Sequence, residues 1–159
     1  MRAFFLFLII LAAACAARAE VVRPAPDFLL SGPSGAPGSL SKLRGQPVVV
    51  VVASSPRTLA FRRQIARLRN EFERLASQKT LFIAAFTQEP GAVPSNIPFL
   101  TAADGPSVAA ALGITSGFGI AVIGRDGNLD IVTSRILPGQ RVLDIVNNSF
   151  VSQQRLRRL

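Results

Sequence analysis

Residues 48–53 read VVVVVA, directly after Gln46-Pro47. Five consecutive β-branched residues disfavour a helix, where their χ1 freedom is lost against the preceding turn. They also cannot form a strand with one wet face, because successive side chains point to opposite sides. Such a run is a strand buried on both faces, which requires helices packed on each side of its sheet.

The segment after this strand has the other period. Ser54-Ser55-Pro56 is a helix-start signal. From there to Ser77 the apolar residues Phe61, Ile65, Leu68, Phe72 and Leu75 recur at steps of 4, 3, 4 and 3, which makes one helical stripe. Arg62, Arg63, Arg67, Arg69 and Arg74 lie off it and are expected to face water. Thr80 to Phe86 reads as a second buried strand, and a β-α-β unit of this kind makes the two strands parallel through a right-handed crossover.

Gln88 to Pro98 holds three prolines and is expected to be a connector. Asp104-Gly105-Pro106 opens a short helix that Gly113 ends. Gly119 to Gly124 is a third strand, Asp126-Gly127 a hairpin turn, and Asn128 to Ile136 the returning strand. Pro138 opens a last helix with Val142, Ile145, Val146 and the Ser149/Phe150 side inward. Upstream, Asp27 to Leu30 is expected to be a short edge strand, Gly32 to Gly38 turns, and Ser39 to Gly45 a single helical turn ended by its glycine. The expected architecture is α/β, a mixed central sheet flanked by helices.

At 159 residues the chain has the length of a single domain, and 49% hydrophobic against 17% charged residues excludes intrinsic disorder. With no histidine and one cysteine, zinc sites of the His/Cys type, Ser-His-Asp and Cys-His catalysis, and an internal disulfide are excluded. No P-loop or Gly-x-Ser-x-Gly motif is present, and the sequence points to no metal and no cofactor.

The first residues have the pattern of a signal peptide. Arg2 is the charged region, Ala3 to Ala14 the apolar run, and Ala17-Arg18-Ala19 a small-x-small cleavage site, so the mature chain is expected to start at Glu20. The run of twelve is shorter than the roughly 20 apolar residues of a membrane span. Cys15 after Ala12-Ala13-Ala14 also resembles a lipoprotein box, although Leu11 stands one residue too far upstream. A periplasmic or secreted protein without a transmembrane span in its mature form is expected, with a lipid anchor at Cys15 the less favoured alternative. The resulting divisions are a signal peptide at 1–19, a Pro/Gly/Ser-rich entry segment at 20–46, the α/β domain at 47–151 and a basic tail at 152–159.

The formal net charge is +9, and it is unevenly placed. Between Phe28 and Asn70 there is no acidic residue, while Lys42, Arg44, Arg57, Arg62, Arg63, Arg67 and Arg69 all fall there. Arg62, Arg63 and Arg67 form a candidate basic docking face for an unidentified protein or an anionic surface; the plainer reading is a solvated helix face. Without tryptophan or tyrosine, no nucleic-acid partner is expected.

Ala25-Pro26-Asp27-Phe28-x-Leu30 followed by Ser39-Leu40-Ser41-x-Leu43-Arg44-Gly45-x-Pro47-Val48-Val49-Val50 resembles the start of peroxiredoxins and extracytoplasmic thioredoxin-like proteins. Asp104-Gly105 through Leu112-Gly113-Ile114 and the Gly124-Arg125-Asp126-Gly127 hairpin resemble later landmarks of that superfamily, so the likeness spans roughly residues 25–150. It implies a thioredoxin-like fold and, in active members, antioxidant or thiol-disulfide chemistry. That chemistry uses a cysteine at the helix start after the first buried strand, where the helix N-terminus stabilises a thiolate. Here the place is held by Ser54, Ser55, Pro56 and Arg57, and Phe118 stands near the position of the superfamily's cis-proline. The resemblance thus implies a degenerate member without the redox residues. It also implies that a cysteine placed at Ser54 or Ser55 would still have a lowered pKa. The chain is similar, more loosely, to bacterial proteins with a degenerate thioredoxin-like domain that share a hairpin like Ile123-Gly124-Arg125-Asp126-Gly127.

Overall fold

The computed structural model of the protein describes residues 23–31 and 37–156, and for residue 37 and residues 150–156 the backbone only. The expected signal peptide, the Ala19 cleavage site, Cys15 and the last three residues lie outside the described residues.

The first long strand forms where the valine run demands it. Counting in chain order, β1 is Leu29–Ser31, β2 Pro37–Ser39 and β3 Val48–Ala53. Every residue of β3 is buried. Its odd and even side chains enter two separate cores. Val49, Val51 and Ala53 pack with Phe61, Ile65, Leu68, Phe82 and Val142 on one face. Val48, Val50 and Val52 pack with Ile83, Val108, Leu112 and Ala121 on the other.

The helical elements are α1 Leu59–Asn70, α2 Phe72–Ser77, α3 Gly105–Leu112 and α4 Gly139–Leu156; the remaining strands are β4 Leu81–Phe86, β5 Phe99–Ala102, β6 Phe118–Ile123 and β7 Leu129–Thr133. The sheet has the order β2-β1-β5-β4-β3-β6-β7. β3 and β4 are parallel in the register Val48↔Leu81 to Ala53↔Phe86, as the crossover rule requires. β6 runs antiparallel to β3, with Ala53 opposite Phe118, and β6–β7 is the expected hairpin. Its turn places Gly127 at φ 82°, a conformation glycine adopts at no steric cost.

Four expectations are corrected. β1 is not an edge strand: it lies between β2 and β5, and the edge belongs to β2, part of a stretch expected to be turns. β5 was not expected: it occupies the four residues after the Gln88–Pro98 connector and pairs parallel with β4. The helix expected to run unbroken to Ser77 is interrupted at Glu71, where the backbone has φ −112° and ψ 11°. The interruption falls where α4 begins: a Cβ on Gly139 would collide with the Arg67 carbonyl and reach within 2.9 Å of the Glu71 side chain. Arg74 spans the same junction, bonding Glu71 at 2.9 Å and Gln140 at 2.8 Å. Finally, the helix that Ser54-Ser55-Pro56 were expected to start begins only at Leu59, with Thr58 as its N-cap.

The segment expected as an entry stretch contributes two strands to the sheet, and α4 runs through Leu156, across the 151/152 division. No helix of the described residues is long and apolar enough to cross a membrane.

Candidate functional site

The C-terminal end of β3 opens into a turn over Ser54–Thr58 before α1. This end of the parallel β3–β4 pair is where an open α/β sheet leaves a crevice. The turn is tied down by backbone bonds. The Ser54 carbonyl accepts the Gln88 and Glu89 N–H groups, each at 3.0 Å, and the Ala53 carbonyl accepts Thr87 N–H at 2.9 Å. Ser54 is thus fixed to the loop that leaves β4.

Its side chain reaches the other half of the expected site. Ser54 Oγ donates to the Gly117 carbonyl oxygen at 3.4 Å, a long bond. Gly117 has φ 70°, a left-handed conformation that favours glycine. A Cβ built there would stand 3.4 Å from Ser54 Oγ. The residue facing Ser54 is therefore Gly117 and not Phe118. Phe118 is 8% exposed and its ring joins the core with Phe61, Phe86 and Ile120. The sequence signal for Gly117 was its place in Gly117-Phe118-Gly119, where only a glycine could take a positive φ cheaply.

Ser55 is 9% exposed. Its Oγ accepts the Arg57 N–H at 3.3 Å, and its carbonyl accepts the Thr58 hydroxyl at 3.0 Å. This is a local turn and not a helix cap: the N-cap is Thr58, whose hydroxyl bonds back to Ser55 and caps no N–H of α1. Pro56 is buried, and Arg57 is exposed. The hydrogen-bond partner of Ser54 Oγ is a carbonyl, which cannot take up its proton, and the chain has no histidine. Among the described residues no group of three or more Cys, Asp or Glu is placed to hold a metal.

Arg62, Arg63 and Arg67 are exposed on α1, as expected, together with Arg69. Arg57, Arg62, Arg63, Arg67 and Arg69 make no side-chain hydrogen bond or ion pair among the described residues, where Arg74–Glu71 is the salt bridge formed. Leu59, Arg62, Arg63, Ala66 and Arg69 line a groove between α1 and Pro94. A second groove shares Arg62 and Pro94 and extends it to Pro56, Arg57 and the loop Glu89–Ala92. Arg63 and Ala66 also border a further groove on the neighbouring flank of α1, with Arg67, Ile136 and Pro138.

The two perturbed carboxylates stand at structural turns. Asp27 is held below its ordinary range first by the Ser41 backbone N–H, at 2.9 Å, and Asp104 first by the Ser107 hydroxyl, at 2.6 Å.

No family model and no curated protein matches the chain. Solved structures do. A peroxidoxin, BcpB, from Mycobacterium tuberculosis aligns at 19% identity and TM-score 0.62 over 80% of this chain and 96% of its own. A reduced 2-Cys peroxiredoxin from Plasmodium vivax aligns at 13% identity and TM-score 0.64 over 82% and 96%. A thiol:disulfide interchange protein of the thioredoxin family from Chlorobium tepidum aligns at 19% and TM-score 0.62 over 80% and 96%. Together with the mixed sheet and its flanking helices, these likenesses establish that the chain has a thioredoxin-like fold.

Proposed function

We propose that the protein is an exported, redox-inactive thioredoxin-like domain that works as a binding or accessory module. Ser54, Ser55, Pro56 and Arg57 then stand at the position where active relatives carry their thiol, opposite Gly117-Phe118. The observation that carries this reading is chemical. Disulfide exchange and thiol-based peroxide reduction need a thiolate, and the one cysteine, Cys15, lies in the N-terminal apolar segment, 33 residues before β3. A serine hydroxyl bonded to a carbonyl stays neutral and cannot replace it.

Export is supported by the Arg2, Ala3–Ala14 and Ala17-Arg18-Ala19 pattern. Protein recovered from the extracytoplasmic fraction of an expressing bacterium should begin at Glu20 and carry no lipid. The same preparation, and the full chain with Cys15→Ala, should reduce neither insulin disulfides nor peroxide with any thiol donor. Turnover above a heat-denatured control, or a chain retained in the cytoplasm with its first residues intact, would overturn the corresponding half of the proposal.

A further inference from the structure

Four of the five unpaired arginines lie on α1, and they are not spread evenly over it. Arg62 and Arg69 are seven residues apart, two helical turns, so they lie on one face with a rise of about 10.5 Å between them. Both line the groove whose other wall is Pro94, and Ala66 stands between them. Buried Phe61 and Ile65 also border this groove, and Leu59, 60% exposed, closes one end. The groove holds about 430 Å³, and the flank lined by Arg63, Ala66 and Arg67 holds about 440 Å³; what distinguishes the groove is the pair Arg62 and Arg69 aligned on either side of Ala66.

We infer that this groove binds an acidic, extended peptide segment of a partner protein, with two carboxylates three residues apart and an apolar side chain between them. An extended segment in the polyproline II conformation has three residues per turn and rises about 3.1 Å per residue, so carboxylates at positions i and i+3 lie on one face about 9.3 Å apart. That is close to the Arg62–Arg69 rise of about 10.5 Å. Each guanidinium has its donors free for a forked, two-bond contact with a carboxylate. The apolar residue between the acids would lie against Ala66, Ile65 and Pro94. Glu89 lines the adjoining groove. Its charge opposes acidic residues there and directs them toward the Arg62–Arg69 end. Arg63 also borders this groove, whereas Arg67 does not; an anionic membrane would meet the ridge of α1 instead of its groove and would draw on Arg67 as much as on Arg62 and Arg69.

The inference rests on the binding-module reading, and it is tested by fluorescence anisotropy on the mature protein. The probe is a labelled peptide with the core Asp-Leu-Ala-Asp. A peptide of the same composition with the two acids adjacent, and vesicles of phosphatidylglycerol and phosphatidylcholine, are run beside it. The spaced peptide should bind, and Arg62→Glu or Arg69→Glu should each weaken it by about tenfold or more. Arg67→Glu changes the charge by the same amount on the neighbouring flank and should weaken it by no more than about threefold. Equal losses from all three variants, equal affinity for the adjacent-acid peptide, stronger binding to the vesicles, or no peptide binding would each overturn the groove assignment. None of these results touches the redox-inactive reading, which falls only on thiol-dependent turnover by the same preparation.

Discussion

At the scale of single residues, the site is decided by what each side chain faces. Ser54 Oγ faces the Gly117 carbonyl, and α1 begins only at Leu59. An acceptor favours the protonated form of a thiol, and the helix dipole falls off within its first turn. The structure therefore favours an ordinary or raised pKa for a cysteine at Ser54, against the expectation from the resemblance. With Cys15→Ala as background, Ser54→Cys should give a thiol with a pKa at or above the ~8.5 of free cysteine. Ser55→Cys should titrate lower, because the Arg57 N–H already points at that side chain. Iodoacetamide reactivity against pH measures both, and a Ser54→Cys thiol more acidic than its neighbour would refute the assignment. Gly105 carries the clearest stability constraint. A Cβ there would collide with the Phe86 carbonyl and lie 2.8 Å from the Phe86 nitrogen. Gly105→Ala should lower unfolding stability by about 3 kcal/mol in urea titrations, as α3 is forced off β4. A change within about 0.5 kcal/mol would show that the helix shifts freely.

At the scale of elements, the helices were readable to different degrees. α3 has both ends written in its sequence. Asp104 caps it through the Ser107 N–H at 3.0 Å, and Gly113 closes it at φ 74°. The Ser107 hydroxyl, and then its N–H, hold the Asp104 carboxyl below the ordinary value of 3.8. A folded-state pKa below the unfolded one contributes stability while the group is ionised. That contribution is present above about pH 4 and is lost as pH falls through the lower folded value. Asp104→Ala should therefore lower the Tm at neutral pH, and the gap to the wild type should narrow as the solution approaches about pH 2. A gap that is constant across the acid range would mean the carboxylate charge plays no part in the cap. α1 had its buried stripe in the sequence but neither of its ends. Ser-Ser-Pro signals a helix start, yet these residues form a turn held by Gln88 and Glu89. The stop at Asn70 coincides with the approach of Gly139 and has no local mark.

At the scale of the whole molecule, the fold is two cores separated by one sheet, and four exposed arginines, Arg62, Arg63, Arg67 and Arg69, stand on α1. The sequence by itself determined the two-sided burial of β3, the parallel β3–β4 crossover, the hairpin at Asp126-Gly127, the inward stripe of α1 and the exposure of its arginines. It also determined that no thiol is available in residues 16–159. Each of these follows from periods of two or about 3.6 residues, from turn chemistry, or from composition, all of which are local. The tertiary structure alone decided the rest of the sheet. β1, β2 and β5 are strands of three or four residues, too short to show a period. β2 consists of Pro-Gly-Ser, which read as a turn. Their hydrogen-bonding partners come from distant chain, as Leu30 pairs with Ala102. The same holds for the site. Ser54 meets Gly117, and Arg62 meets Pro94 across a groove, because strands β3, β4 and β6 lie side by side in the sheet. Local patterns fix which face of an element is buried, but contacts between residues tens of positions apart depend on how the packed elements are aligned, and no short-range period carries that information.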